Sequence, residues 1–291
     1  MGQSRQMILI VRWLLQVNSG SGVMMRASIG EALRLTALLL VGFLAGCATP
    51  PPPSEPEALA DFRANNDPLE PTNRVLYAIN NGLDTAIVRP VARAYRAVLP
   101  QPVRNGVHNA LTNMDAPIRL VNDMLEGKPR RAGDTAMRFV INSTVGVLGI
   151  FDVAARLGYP GHDADLGITM ALWDVPDGPY LFVPLIGSSN VRDLLGYSVD
   201  VTANPLNWVG QGAAVTALVW ARVPVAGIDA RDRNDNLIET TKRTALDPYA
   251  TFRSLYQQSR HATIQEVRND HRATIPMWFP QASAGSADSG K

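Results

Sequence analysis

The stretch that decides the fold runs from residue 87 to residue 129, IVRPVARAYRAVLPQPVRNGVHNALTNMDAPIRLVNDMLEGKP. Between its prolines the apolar residues recur at intervals of three and four. Ile87, Val91, Tyr95 and Val98 make one set, and Val103, Val107, Leu111 and Met114 a second. Leu120 or Val121, with Met124 and Leu125, makes a third. That spacing stacks side chains on one face of a helix, whereas a half-buried strand repeats every two residues. Pro90, Pro100, Pro102, Pro117 and Pro129 punctuate the pattern. Proline lacks an amide hydrogen and clashes with the preceding turn, so the stretch predicts three short helices, each started or stopped by proline. Arg89, Arg93 and Arg96 share one helical face. They form either a solvated cationic face or a surface that meets lipid phosphates or an acidic partner.

The same period extends outward. Upstream, Val75, Leu76, Ile79 and Leu83 fall at helical spacing opposite Asn73, Asn80 and Asn81, with Thr72 placed to cap the helix. Downstream, RFVINSTVGVLGIFDVAARLG (138–158) is apolar for much of its length and too short to span a bilayer about 30 Å thick. It is either a buried central element or a segment lying against lipid. YLFVPLIG (180–187) reads as an apolar loop or hairpin that a water-facing surface does not tolerate openly. Trp208 and Trp220 suit either a headgroup-level position or an ordinary core. The last third predicts two charged helices joined near Asp247 and Pro248. Tyr249, Phe252 and Leu255 or Tyr256 form the apolar stripe of the second. Strand alternation is scarce throughout, and the fold class is mainly α.

Bulk composition narrows the function. The chain has 291 residues, 46% hydrophobic and 18% charged, a globular or membrane-associated balance. From Cys47 onward, 23 basic residues face 25 acidic ones, which argues against wholesale nucleic-acid binding. With one cysteine the chain forms no internal disulfide and no thiolate-based zinc site. No G-x-S-x-G elbow, H-E-x-x-H pair or P-loop pattern occurs, so no catalytic residue, metal or cofactor is expected. His108, His162, His261 and His271 are scattered. His162, Asp163 and Asp165 are the one short polar cluster, and beside glycines such a cluster forms a turn more often than an acid–base or metal site.

Cys47 ends the run LTALLLVGFLAGC and precedes four prolines, Pro50 to Pro53. Those prolines build no packed element around a core cysteine, and no base stands nearby to make a nucleophile. Arg26 and Arg34 followed by a short apolar run read as a secretory signal, with Met24 or Met25 as the true initiator. LAGC resembles the bacterial lipobox, which marks Cys47 for lipidation. The expected organisation is a signal over 1–46, a lipidated cysteine and proline-rich linker over 47–66, a helical domain over 67–275 and a disordered tail over 276–291.

Taken together, DPLEPTNRVLYAIN, the 89–129 stretch, RFVINSTVGVLGIFDVA, GPYLFVPLIGSSNVRD and DPYATFRSLYQQSR resemble the MlaA/VacJ lipoproteins from roughly Asp67 to Ile264. The chain departs from the family pattern at Pro71 and Thr72, at Asp174 and Asp177, and in having DLG for a frequent DFG. The resemblance implies a ring of short, partly amphipathic helices lying in the inner leaflet of the outer membrane around a central channel. It also implies removal of phospholipid from the outer leaflet, transfer to a periplasmic carrier that serves an inner-membrane ABC transporter complex, and trimeric porins as membrane partners. Ala48 after the cysteine fits outer-membrane sorting. Tyr180, Phe182, Pro184, Leu185 and Gly187, with the GVLGIF segment, are the expected channel-flanking or lipid-facing positions.

Overall fold

A computed structural model of the chain describes residues 49–207 and 213–269. Cys47, Trp208, the side chain of Trp220 and the tail after residue 269 lie outside the described residues. The chain divides into one unit of Met1–Thr49 with Leu69–Thr72 and another of Pro50–Pro68 with Asn73–Lys291. The second carries the packed helices.

Ten of the helices are α1 (Pro56–Asn65), α2 (Glu70–Leu83), α3 (Arg89–Val98), α4 (Gln101–Leu125), α5 (Pro129–Thr144), α6 (Val153–Arg156), α7 (Leu166–Leu172), α8 (Val191–Ala203), α9 (Ala213–Arg233) and α10 (Asp235–Thr244). The last is α11 (Pro248–Asn269). One antiparallel hairpin, β1 (Tyr180–Val183) and β2 (Gly187–Asn190), interrupts them, with Tyr180 opposite Asn190 and Val183 opposite Gly187. The mainly α reading therefore holds.

The prolines act differently from expectation in two places. Pro90 does not open a separate helix. A π-helical turn, Asp84–Val88, joins α2 to α3 without a break, and the Arg89 amide reaches back to the Asp84 carbonyl. Widening the helix by one residue ahead of Pro90 absorbs a position that donates no hydrogen bond. Pro117 lies inside α4, which continues for 25 residues where two helices were expected. An interior proline costs about 3 kcal/mol, and the long packing of α4 against α5 offsets it. Helix α2 begins at Glu70, so Thr72 sits within its first turn and not at its cap. Within the expected linker, α1 forms a ten-residue helix with no buried residue, ended by Asn66 at φ 45°.

The apolar 138–158 segment is not a buried core element. Helix α5 ends at Thr144, and the chain then turns tightly through Val147, Leu148 and Gly149, all at positive φ. Gly146 and Gly149 permit the turn, because a Cβ on either would fall within 2.5 Å of Asn142, Phe151 or Asn113. Val145, Leu148 and Phe151 are left exposed. No helix among the described residues is long and apolar enough to cross a membrane.

Candidate functional site

The distribution of polar and apolar side chains is the reverse of an ordinary water-soluble core. Among the described residues, 22 buried side chains are polar or charged and 11 are hydrophobic. Six of those 11 are alanines, which leaves Ile168, Tyr180, Phe182, Tyr249 and Val267 as the large ones. Against these five, 29 large hydrophobic side chains are exposed. Exposed apolar residues are common on any protein, but an apolar exterior combined with an ionic interior is not.

The interior is a set of ion-pair networks. Asp84, in the π turn, accepts from Arg231 Nε at 2.7 Å and from Lys242 at 2.8 Å. Arg231 also reaches Asp235 at 2.6 Å and Glu239 at 2.7 Å. Burial alone would raise the Asp84 carboxyl, but hydrogen bonds from Arg231 and Lys242 hold it below its ordinary value. Next along the seam, Arg96 and Arg104 both bind Asp232, and His108 Nδ1 lies 2.8 Å from Asp229. Two of the three arginines expected to form a cationic face are paired within the chain, although Arg96 stays exposed and Arg89 is only half-buried. Arg89 pairs with Glu239 at 2.7 Å and Arg96 with Asp232 at 2.6 Å, while Arg93 is exposed. Their acidic partners come from α9 and α10 of the same chain.

Among the described residues, two cavities share Arg119 as a wall. The larger, about 320 Å³, is lined by Arg119, Asp163, Asp165, Tyr256, Ser259 and Arg260 among others. Arg260 spans it, bidentate to Asp165 at 2.7 and 2.6 Å and 2.7 Å from Asp193. The smaller, about 130 Å³, is lined chiefly by α4 and α5, including His108, Arg119, Thr135, Arg138 and His162. Helix α4 presents His108, Thr112 and Arg119 to it through spacings of four and seven. The polar walls of the larger suit a charged headgroup, whereas the smaller, with Ala116 and Phe139 among its lining residues, is of mixed character.

His162, Asp163 and Asp165 do not converge. His162 is buried, with Nε2 between Asp123 Oδ1 at 2.8 Å and Oδ2 at 3.0 Å. Thr135 donates to Asp123 Oδ2 at 2.5 Å, and Arg131 donates to the Asp163 carbonyl at 2.8 Å. Asp163 turns its carboxylate to solvent, whereas Asp165 caps α7 by accepting from the Ile168 amide at 2.9 Å. The described residues hold no group of three metal-ligating side chains. Close by, burial raises the Glu126 carboxyl to about 8, with Asp123 adding to the effect. Both Glu126 oxygens are buried without a hydrogen-bond partner.

The hairpin splits the five expected channel positions. Tyr180 and Phe182 turn inward, because strand alternation sends every second residue to one face. They pack with Tyr249 and Tyr77, with ring centroids 5.4 Å apart for Tyr77 and Phe182 and 6.2 Å for Tyr180 and Tyr249. Lipid-facing placement is thus corrected for these two rings. Pro184 and Gly187 are half-buried, while Leu185, at φ 70°, is 73% exposed. Under the rings, Asp67 accepts from Tyr249 at 2.5 Å and Arg253 at 2.7 Å, and burial pushes the Tyr180 hydroxyl up to about 12. Sequence reasoning missed Asp123, Glu126, Arg119 and Arg131. Their signal is weak but present, as charges on the inward faces of otherwise amphipathic helices.

The family model described as MlaA lipoprotein matches residues 65–263. A relative from Escherichia coli (strain K12), the intermembrane phospholipid transport system lipoprotein MlaA, is 35% identical over 79% of this chain and 87% of its own. The protein of that name from Haemophilus influenzae is 32% identical over 77% of this chain and 87% of its own. A solved structure, from work on the structural basis for maintenance of bacterial outer membrane lipid asymmetry, superposes with a TM-score of 0.59 at 35% identity. It covers 68% of this chain and 98% of that one.

Proposed function

The chain belongs to the MlaA lipoprotein family, and from that premise we propose that it clears phospholipid from the outer leaflet of the outer membrane and passes it toward the periplasm. The observation that carries this is the inverted side-chain distribution, five large apolar residues buried against 29 exposed. An apolar exterior dissolves in the acyl region of one leaflet, and polar cavities within it offer the headgroup a route that avoids hydrocarbon. A charged head crossing bare hydrocarbon loses its hydration, a cost of several kcal/mol or more, and a polar-lined path removes most of that barrier. The acyl chains remain in apolar surroundings along the exterior.

Cys47 is the proposed lipid anchor, which holds the chain to the periplasmic leaflet. At about 0.8 kcal/mol per buried CH₂, two or three acyl chains make that attachment effectively permanent. A trimeric porin is the proposed membrane partner and a soluble periplasmic lipid carrier the proposed recipient. Transfer breaks no bond. His162, the most enzyme-like group, is committed to Asp123, and the hydroxyl beside it, that of Thr135 at 3.2 Å, donates to the same carboxylate. Incubation with labelled phospholipid is expected to release no fatty acid.

The deciding experiment deletes the gene and labels outer-leaflet phosphatidylethanolamine on intact cells. Labelling is expected to rise, to be restored by the wild type and to stay high with Cys47→Ala. Unchanged labelling in the deletion strain overturns the proposal.

A further inference from the structure

Among the described residues, Arg119 alone lines both cavities. Beside it the chain crosses from one cavity to the other. Gly161 and His162 line the smaller, whereas Asp163 and Asp165 line the larger. Arg119 reaches over from α4 and donates to the His162 carbonyl at 2.8 Å. The partition is therefore a guanidinium on one side and a single peptide unit on the other.

The two halves of that partition are held very differently. The peptide is pinned from both ends, with His162 Nε2 2.8 Å from Asp123 and the Asp163 carbonyl accepting from Arg131 at 2.8 Å. Among the described residues, Arg119 has one further contact, to an Asp163 carboxylate that is 3.4 Å away and 76% exposed. An ion pair in that setting holds little. One ordinary hydrogen bond therefore keeps the guanidinium in place. The other arginines in these walls are fixed. Arg260 makes three contacts of 2.7 Å or less, to Asp165 and Asp193. Arg138 binds Asp152 and the Tyr159 carbonyl, both at 2.8 Å. Arg119 also needs no new partner when it turns outward, because the Asp163 carboxylate already stands in solvent. A long side chain held this loosely changes rotamer readily.

We propose that Arg119 is a gate between the two cavities. Bonded to the His162 carbonyl it keeps them apart, and turned toward solvent it joins them into one passage. The assignment rests on the transport reading and deepens it, naming the point at which a headgroup is admitted or stopped. A single hydrogen bond of ordinary strength keeps such a gate shut about nine-tenths of the time.

The test threads a linker through the gate. Thr112→Cys, in the wall of the smaller cavity, and Ser259→Cys, in the wall of the larger, are combined in the full chain purified in a maltoside detergent. A flexible bis-methanethiosulfonate is added, and mass spectrometry follows the peptides joined between positions 112 and 259. Linking is expected with Arg119 present, about tenfold faster with Arg119→Ala, which removes the gate, and slowest with Arg119→Trp, which fills the gap. Equal rates with and without Arg119→Ala overturn the proposal. No linking even in Arg119→Ala means that no passage runs there, and linking confined to that variant means a fixed wall. A rate raised equally by Arg119→Trp reports loosened packing. Each of these three results also sinks the gate. Arg119→Ala only removes atoms from a partly exposed site, so the decisive comparison stands if Arg119→Trp fails to fold. Linking requires no lipid or partner protein, whereas the transport reading is judged by outer-leaflet labelling in cells. A chain that restores asymmetry while its linking ignores residue 119 loses the gate and keeps the function.

Discussion

The hairpin region and the seam between α3, α4, α9 and α10 solve opposite problems with the same amino acids. At the hairpin, Tyr180, Phe182 and Tyr249 turn inward and close over one ion pair, Asp67 with Arg253. Along the seam the charges turn inward, and Val91, Val98 and Val103 stay outside. Amphipathic periodicity alone identifies a face and says nothing about which solvent that face meets. The hairpin packs as a water-soluble core does. The seam packs as though the exterior were the less polar medium.

The largest expected effect comes from breaking the seam. Arg231→Leu removes the buried cation shared by Asp84, Asp235 and Glu239, leaving them to Lys242, Arg96 and Arg89, and should cost about 3–5 kcal/mol of stability, read by denaturant unfolding in detergent. Pairing it with Asp84→Leu should recover part of that loss. If the single variant costs less than about 1 kcal/mol, the seam is not what holds these helices together. Phe182→Ala comes next, at about 3 kcal/mol, because it opens a cavity in the aromatic cluster. A lipid-facing Phe182 would show almost no loss, which makes this variant the sharpest check on the hairpin half of the comparison.

A smaller effect is expected at Glu126. Its carboxyl ordinarily titrates near 4.5 and is raised by burial to about 8 in the folded chain. Between those values the folded chain keeps a proton that the unfolded chain has released. This contribution is therefore full below about pH 4.5 and is lost as pH rises toward about 8. Thermal melting should fall by a few degrees across that window, and Glu126→Gln should flatten the dependence. The smallest effect on stability is at Leu148, 75% exposed at φ 56°. Leu148→Asn suits that backbone and should change stability by less than about 0.5 kcal/mol while weakening flotation with liposomes. Unchanged flotation would break the exterior half of the comparison.

These contrasts also mark what was legible in the sequence. The helical period, the hairpin at residues 180–187 and the stripe of Tyr249, Phe252 and Tyr256 are local patterns, and they appear where expected. Pro117 misled because its neighbours along the chain give no hint of α5, whose packing keeps α4 intact. Arg89 and Arg96 misled because Glu239 and Asp232 stand more than 130 residues away. Arg119 and His162 are separated by 43 residues and meet across one wall, a pairing that no spacing rule displays. The inverted interior was legible only indirectly, in the apolar 138–158 segment, which the sequence left as either a buried central element or one lying against lipid. Cys47, which gave the plainest functional signal in the sequence, lies outside the described residues.

One measurement addresses the inversion most directly. Nitroxides at Leu148→Cys and Thr263→Cys, in full chain bound to phospholipid bilayers, report which medium each site meets. Collisions with dissolved oxygen should dominate at position 148, on the apolar exterior. Collisions with a water-soluble nickel complex should dominate at position 263, on the wall of the larger polar cavity. Equal nickel accessibility at both sites would mean that the apolar exterior faces water, and the account would be wrong.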